Sequence, residues 1–137
     1  MILVDTSVLI NLLRGRENTK TGIFRKVIEK GIPFGISVLT YQEVLQGARD
    51  TKEWNLLQEY LNSQTIYYLP QNREYYTKAA EIVFHLRRNG ITPRSTIDIL
   101  IVTTAIENQL GLLHDDKDFD AMQKYVPELK IVSSDML

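Results

Sequence analysis

The chain contains no cysteine. That excludes disulfides, thiolate metal sites and a cysteine nucleophile, and it suits a reducing compartment. Neither charge is in excess: 16 Lys and Arg stand against 17 Asp and Glu, a formal net charge of −1. The global basic field that draws nucleic acid is therefore missing, and any such contact has to use a local patch. No apolar stretch approaches the roughly 18–20 residues of a membrane helix. The N-terminal "MILVD" has no charged leader or cleavage site, so no signal peptide is expected. These absences lead to the expectation of a cytoplasmic protein without a membrane anchor. His85 and His114, the two histidines, lack zinc-ligand spacing. There is no Ser–His–Asp set, no phosphate-binding glycine loop, no repeat and no linker.

What is present is an ordinary globular mix. Hydrophobic residues make up 44% and charged residues 24% of 137 residues, enough for one domain with its own core. "MILV" is a short continuous apolar run, as expected of a strand buried on both faces. "TSVLINLLRG" follows at helical spacing and stops at Gly15. "TGIFRKVIEKG" predicts a second helix with Ile23, Val27 and Ile28 on its inner face, and "PFGIS" a short strand. "LTYQEVLQGA" carries a helix-start signature: Thr40 as N-cap, Glu43 three residues on, and Leu39 stapled onto Val44. "EWNLLQEYLNS" is another amphipathic helix and "TIYYLP" a strand. "EYYTKAAEIVFHLRRNG" is a long helix with Tyr76, Ala80, Val83 and Phe84 inside. "STIDILIVTTAIENQ" is a strongly apolar, buried helix. "LGLLHD" is a strand, "FDAMQKYV" a short helix and "KIVSS" a last strand. This alternation predicts a three-layer α/β/α fold with a mainly parallel central sheet, whose sites form beyond the carboxyl ends of the strands.

The stretch "GLLHDDKDFD" puts four aspartates within six residues. Asp118 suits the N-cap of the following helix, Asp120 its first turn, and Asp115 solvent. Asp116 is then left without a structural role. Asp5 ends the first strand and has a bland alternative as a helix cap. Glu43 is explained fully by its capping box. Asp98 follows Ser95 by three residues and suits a capping box too, but it lies in line with Ile101, Val102 and Ala105, where a carboxylate is costly unless paired or bound to a cation. A parallel sheet would aim all four acids, Asp5, Glu43, Asp98 and Asp116, at one edge. Repulsion in such a cleft needs compensation, and hard oxygen ligands suit Mg²⁺ or Mn²⁺, which serve phosphoryl chemistry.

"VDTS" after an opening strand, then "LTYQEVLQG", "DILIVTTA" and "LLHDDKDF" in this order resemble the PIN-domain family, and the chain as a whole resembles its VapC-type toxin branch. The resemblance covers essentially all of residues 1–137. It implies a metal-dependent endoribonuclease, usually dimeric and held in check by a cognate antitoxin. The family's acidic quartet falls on Asp5, Glu43, Asp98 and Asp116. Asp118 matches a further acid of the last motif, and Ser7 a small polar residue supporting the metal. His114 departs from the pattern, since the family more often has threonine or another small polar residue there.

The expectation is thus one PIN-like domain that hydrolyses RNA phosphodiesters. Asp5, Asp98 and Asp116 would hold Mg²⁺ or Mn²⁺. Glu43 would hold a second ion or orient the attacking water, with Ser7 and Asp118 in support. The partners expected are RNA, a second copy of the chain, and an antitoxin placing an arginine or lysine among the acids. Arg14, Arg16 and Lys20 follow the first helix, and Arg87, Arg88 and Arg94 flank the entrance to the Asp98 helix. Solvated faces account for them. The alternative is a pair of phosphate-gripping edges, with Arg94, Arg14 and Arg16 as RNA contacts. Two other functions remain: a catalytically silent RNA-binding or scaffold domain of this fold, and a Mg²⁺-binding response-regulator module. The latter needs a lysine near the end of the last strand, whereas Lys130 begins it.

Overall fold

The opening apolar run forms β1 (Ile2–Val4), and its three residues are all buried. The structure is a computed structural model describing residues 1–137. Strand β1 is followed by α1 (Thr6–Leu13), α2 (Thr19–Glu29), β2 (Phe34–Ser37), α3 (Val38–Gln46), α4 (Thr51–Asn62) and β3 (Ile66–Tyr67). Then come α5 (Arg73–Arg88), α6 (Thr96–Glu107), β4 (Gly111–Leu113), α7 (Lys117–Gln123) and β5 (Lys130–Ile131). The strand order is β3-β2-β1-β4-β5, and every pairing is parallel. This is the three-layer α/β/α arrangement expected from the alternation of elements.

Side-chain alternation along β1 sorts the two cores. Ile2 and Val4 face one layer with Val8, Phe24 and Leu61, while Leu3 faces the other with Ile99, Phe119 and Met122. Strand β4 divides likewise, Leu113 to the first core and Leu112 to the second. Burying a leucine this fully stabilises by roughly 1.5–3 kcal/mol over leaving it exposed, so the two central strands are firmly held. The chain leaves β1 towards β2 on one side and returns to β4 on the other. The carboxyl ends of β1 and β4 therefore border the crevice where such a sheet switches direction.

Several local expectations change. Helix α3 begins at Val38, directly after β2, and its cap is Ser37, whose side chain accepts from the Leu39 amide. Thr40 is a buried residue inside the helix, so the box joining Thr40 to Glu43 does not exist. On α5, Ala79 and Leu86 are buried with Ile82 and Val83 packed beside them, while Tyr76, Ala80 and Phe84 lie on an exposed flank. The stripe read from sequence is rotated to the helix's neighbouring face. Ile28 of α2 is likewise exposed, with Phe24 taking the inner position. "TIYYLP" contributes only Ile66 and Tyr67 to the sheet.

Candidate metal centre

Asp5 is the residue after β1, and its side chain caps α1. Its Oδ2 accepts from the Ser7 hydroxyl at 2.6 Å and from the Ser7 amide at 3.1 Å. The cap that sequence offered as a bland alternative is real, but it does not account for Asp5 being 5% exposed. Burial raises the Asp5 carboxyl above its ordinary range, the Ser7 bonds oppose this, and the charge of Glu43 adds to the rise. The same Ser7 hydroxyl accepts from the Asp115 amide at 2.9 Å. One hydroxyl thus fixes Asp5 and ties the end of β1 to the chain leaving β4.

Glu43 lies in the second turn of α3, released from any capping duty. Thr6 Oγ1 is 2.8 Å from Glu43 Oε1 and 3.0 Å from Thr40 Oγ1. With one proton to give, Thr6 donates to the carboxylate, and Thr40 completes its other side. Neither threonine was singled out as a site residue from the sequence. The signal available for Thr6 was its place beside Asp5 in "VDTS".

Asp98 is in the first turn of α6, but its capping box is not formed: Ser95 Oγ accepts from the Ile97 amide instead. No other side chain or amide donates to the Asp98 carboxylate. It is pushed up to about 6, first by burial, then by repulsion from Asp5, Asp116 and Glu43, with Arg94 opposing. Asp5, Glu43 and Asp116 are thus all within electrostatic reach of Asp98.

The last motif is wired differently from its sequence reading. Asp116, not Asp118, is the N-cap of α7, its Oδ1 accepting from the Asp118 amide at 3.0 Å. Asp116 therefore has the structural role that sequence left to Asp118, while its charge also acts on Asp98. Its Oδ2 accepts from Arg94 Nη2 at 2.8 Å, and Asp118 Oδ2 accepts from Arg94 Nε at 2.5 Å. Arg94 is thus not a free phosphate-gripping edge but a guanidinium already paired with two acids. Asp115 is not merely solvated, since Asn18 donates to its side chain at 3.2 Å. His114 is buried, and its Nδ1 accepts from the Asp116 amide at 3.0 Å, which puts the ring proton on Nε2. That Nε2 lies 3.3 Å from Asp120 Oδ1 without making a hydrogen bond. Burial holds the imidazole below its usual range, so it stays neutral at pH 7.

Arg14 and Arg16 form no ion pair with the acids. They line a groove with Ile10, Leu13, Leu56 and Tyr60 between α1, α3 and α4. Lys20, Arg87 and Arg88 are likewise outside any ion pair, and Arg88 lies over the Phe84 ring.

The donor set fits a hard divalent cation: carboxylate oxygens only, in a place where the charges of Asp5, Asp116 and Glu43 add to the proton affinity of Asp98. No three acidic or imidazole side chains close to the spacing of a finished metal cage. An ion here would be held partly through water, as is usual for Mg²⁺, or would need the acids to draw together.

Comparison with known proteins follows the same lines. A family model for the PIN domain matches residues 2–125. Ribonuclease VapC11 of Mycobacterium tuberculosis is 28% identical over 125 residues, covering 90% of this chain and 92% of that protein. The fold is similar to the crystal structure of DNA-bound VapBC from Salmonella typhimurium, with a TM-score of 0.73, 17% identity, and 96% and 98% of the two chains covered. It is also similar to a toxin-antitoxin complex from Klebsiella pneumoniae, with a TM-score of 0.68, 22% identity and 97% of each chain covered.

Proposed function

The chain belongs to the PIN-domain family, and on that premise we propose that the cleft beside β1 and β4 is the active site of a divalent-metal-dependent endoribonuclease, the toxin of a toxin–antitoxin pair. The observation that carries this reading is the half-buried Asp98, pushed up to about 6 first by burial and then by repulsion from Asp5, Asp116 and Glu43. The ribonuclease name of the VapC11 relative, matched over nine-tenths of this chain, supports RNA as the substrate.

Asp5, Asp98 and Asp116 would hold Mg²⁺ or Mn²⁺, and Glu43 would orient the attacking water or hold a second ion. The bound metal supplies an activated water and stabilises charge on the phosphate. Ser7 fixes the rotamer of Asp5, and Thr6 does the same for Glu43, both through hydroxyls that add no charge. Asp118 supports the site by sharing Arg94 with Asp116. Asp98 has to be ionised to take part, so acid weakens the site as pH falls through about 6. Arg14 and Arg16, and Arg94 once released from Asp116 and Asp118, would meet the phosphates of the strand.

The whole chain acts as one such domain, and the solved toxin-antitoxin complex supports an antitoxin partner. Its basic side chain would enter among Asp5, Glu43 and Asp98, because Arg94 already fills Asp116 and Asp118. The exposed Tyr76 and Phe84 flank of α5 supports a homodimer. No helix is long and apolar enough to cross a membrane, and a cytoplasmic setting belongs to the same proposal. One observation favours a silent RNA-binding domain instead: the acids do not form a finished cage.

The test is incubation of partner-free protein with mixed cellular RNA, in Mn²⁺ and in chelator, beside Asp116→Asn. Cleavage only by the wild type in Mn²⁺ is expected. RNA retained but uncut under every condition would establish the silent domain.

A further inference from the structure

Arg94 lies in the segment between α5 and α6, immediately after Pro93 and before the Ser95 cap. Its side chain is 69% exposed and is held by two bonds only, to Asp116 Oδ2 and to Asp118 Oδ2. Asp116 consequently has both oxygens engaged, Oδ1 by the Asp118 amide and Oδ2 by the guanidinium. A cation approaching Asp116 meets an oxygen already taken by a positive charge. Arg94 offsets the repulsion that acts on Asp98, and its own side chain is largely exposed while paired with Asp116 and Asp118. Exposed ion pairs of this kind are weak and are exchanged readily. A divalent ion brings twice the charge to the same oxygen and so competes for it. A guanidinium released at the rim still has its planar fork, which matches a phosphate with two parallel hydrogen bonds.

We propose that Arg94 is an exchangeable counter-ion: it gives up Asp116 Oδ2 to the divalent cation and turns its fork to the phosphate of the bound strand. The proposal rests on reading the cleft as a metal-dependent ribonuclease centre. It makes the two ligands interdependent. Metal binding frees the anion contact, and anion binding removes the competitor for the metal. By linkage, each must tighten the other by the same factor. It also explains why the acids do not form a closed cage while Arg94 holds one of them.

The experiment is calorimetric titration of the full chain with Mn²⁺, alone and in the presence of a short phosphorothioate oligoribonucleotide, for the wild type, Arg94→Gln and Arg94→Lys. Losing one exposed pair corresponds to roughly a 1.5- to 5-fold change in an equilibrium constant. Arg94→Gln should therefore bind Mn²⁺ alone about that much tighter than the wild type. The oligonucleotide should tighten Mn²⁺ binding in the wild type and leave Arg94→Gln unchanged. Arg94→Lys keeps the charge without the fork, so it should compete with Mn²⁺ like the wild type yet show weaker coupling. If Arg94→Gln binds Mn²⁺ alone no tighter than the wild type, Arg94 is not a competitor and the exchange is refuted while the metal centre stands. If no protein binds Mn²⁺, the metal reading itself fails and takes the exchange with it. Urea unfolding of the three proteins should coincide, since an exposed side chain is altered; a large loss of stability in Arg94→Gln would instead make Arg94 a structural strut.

Discussion

The two walls of the cleft hold their acids by opposite means. On the wall built from β1, α1 and α3, Asp5 and Glu43 are gripped by the neutral hydroxyls of Ser7 and Thr6. On the wall built from α6, β4 and α7, Asp98 has no donor at all, and Asp116 and Asp118 share an exposed guanidinium. A hydroxyl dipole fixes a carboxylate without cancelling its charge, whereas a guanidinium cancels the charge and can leave. The first wall therefore holds its carboxylates in fixed positions. The second is the part that answers to salt and competing cations, because Asp116 and Asp118 are compensated by a screened surface pair, while pH reaches both walls, since burial raises Asp5 as well as Asp98.

The largest effect should come from destroying the second wall's ligand. Asp116→Asn can still cap α7, so the fold should survive. RNA cleavage should fall by more than about 100-fold, beyond what the outer partners of a metal site cost. Rates of the variant and wild type in Mn²⁺ decide it; a fall of only a few fold would remove Asp116 from the ligand set. Next comes the fixed wall. Ser7→Ala deletes the donor to Asp5 and the acceptor for the Asp115 amide together. Cleavage should drop by roughly 10- to 100-fold, with weaker Mn²⁺ binding. Unchanged Mn²⁺ affinity would show that Asp5 is positioned by burial alone.

A smaller effect singles out Asp98 by pH. The folded state holds the Asp98 proton more tightly than the unfolded chain does, with a value near 6 against 3.8. The stability from that protonated form is complete below about pH 4 and is lost as pH rises through about 6. Asp98→Asn cannot ionise, so without metal it should become the more stable protein across that window. Allowing for solvent screening of a half-buried group, the gain is about 1 kcal/mol. His114 works in the other direction, its lowered value costing stability as pH falls below about 6.5. Because both proteins contain it, the difference between their urea unfolding curves isolates Asp98. Parallel curves from pH 4 to 7 would refute the shift. The smallest effect belongs to the neighbours outside both walls. Asp115→Asn and Asp120→Asn alter exposed side chains and should leave cleavage within about twofold and stability within about 0.5 kcal/mol. Either one matching Asp116→Asn would mean that the wrong aspartate has been placed at the site.

How much of this was legible in sequence differs between the walls as well. Asp5 was visible because an apolar run stops at it, and the parallel sheet followed from the alternation of elements. The motifs picked out the acids themselves, but the local reasoning about them failed where two caps compete. Ser37 and Thr40 are both good N-caps, and only the end of β2 decides between them. Asp116 and Asp118 pose the same choice at α7. The Arg94 pairs join residues 22 and 24 positions apart through an irregular segment, and no periodicity announces them. The inward face of α5 was misjudged because Tyr76 and Phe84 look like core, yet the side that meets α6 is set by small Ala79 and by Leu86.

The Ser7–Asp115 bond spans 108 positions of the chain, and that separation bears on when the protein can act. Domains form from the N-terminus during synthesis, yet β1 lies between β2 and β4 and lacks one neighbour until residues 111–113 have emerged. Asp5 and Ser7 are made well before Asp98 and Asp116. A nascent or truncated chain ending before β4 has its acids on separate, unfinished pieces and no cleft between them. If RNA is the target, a chain whose synthesis has not yet reached β4 has no assembled cleft to cut it with.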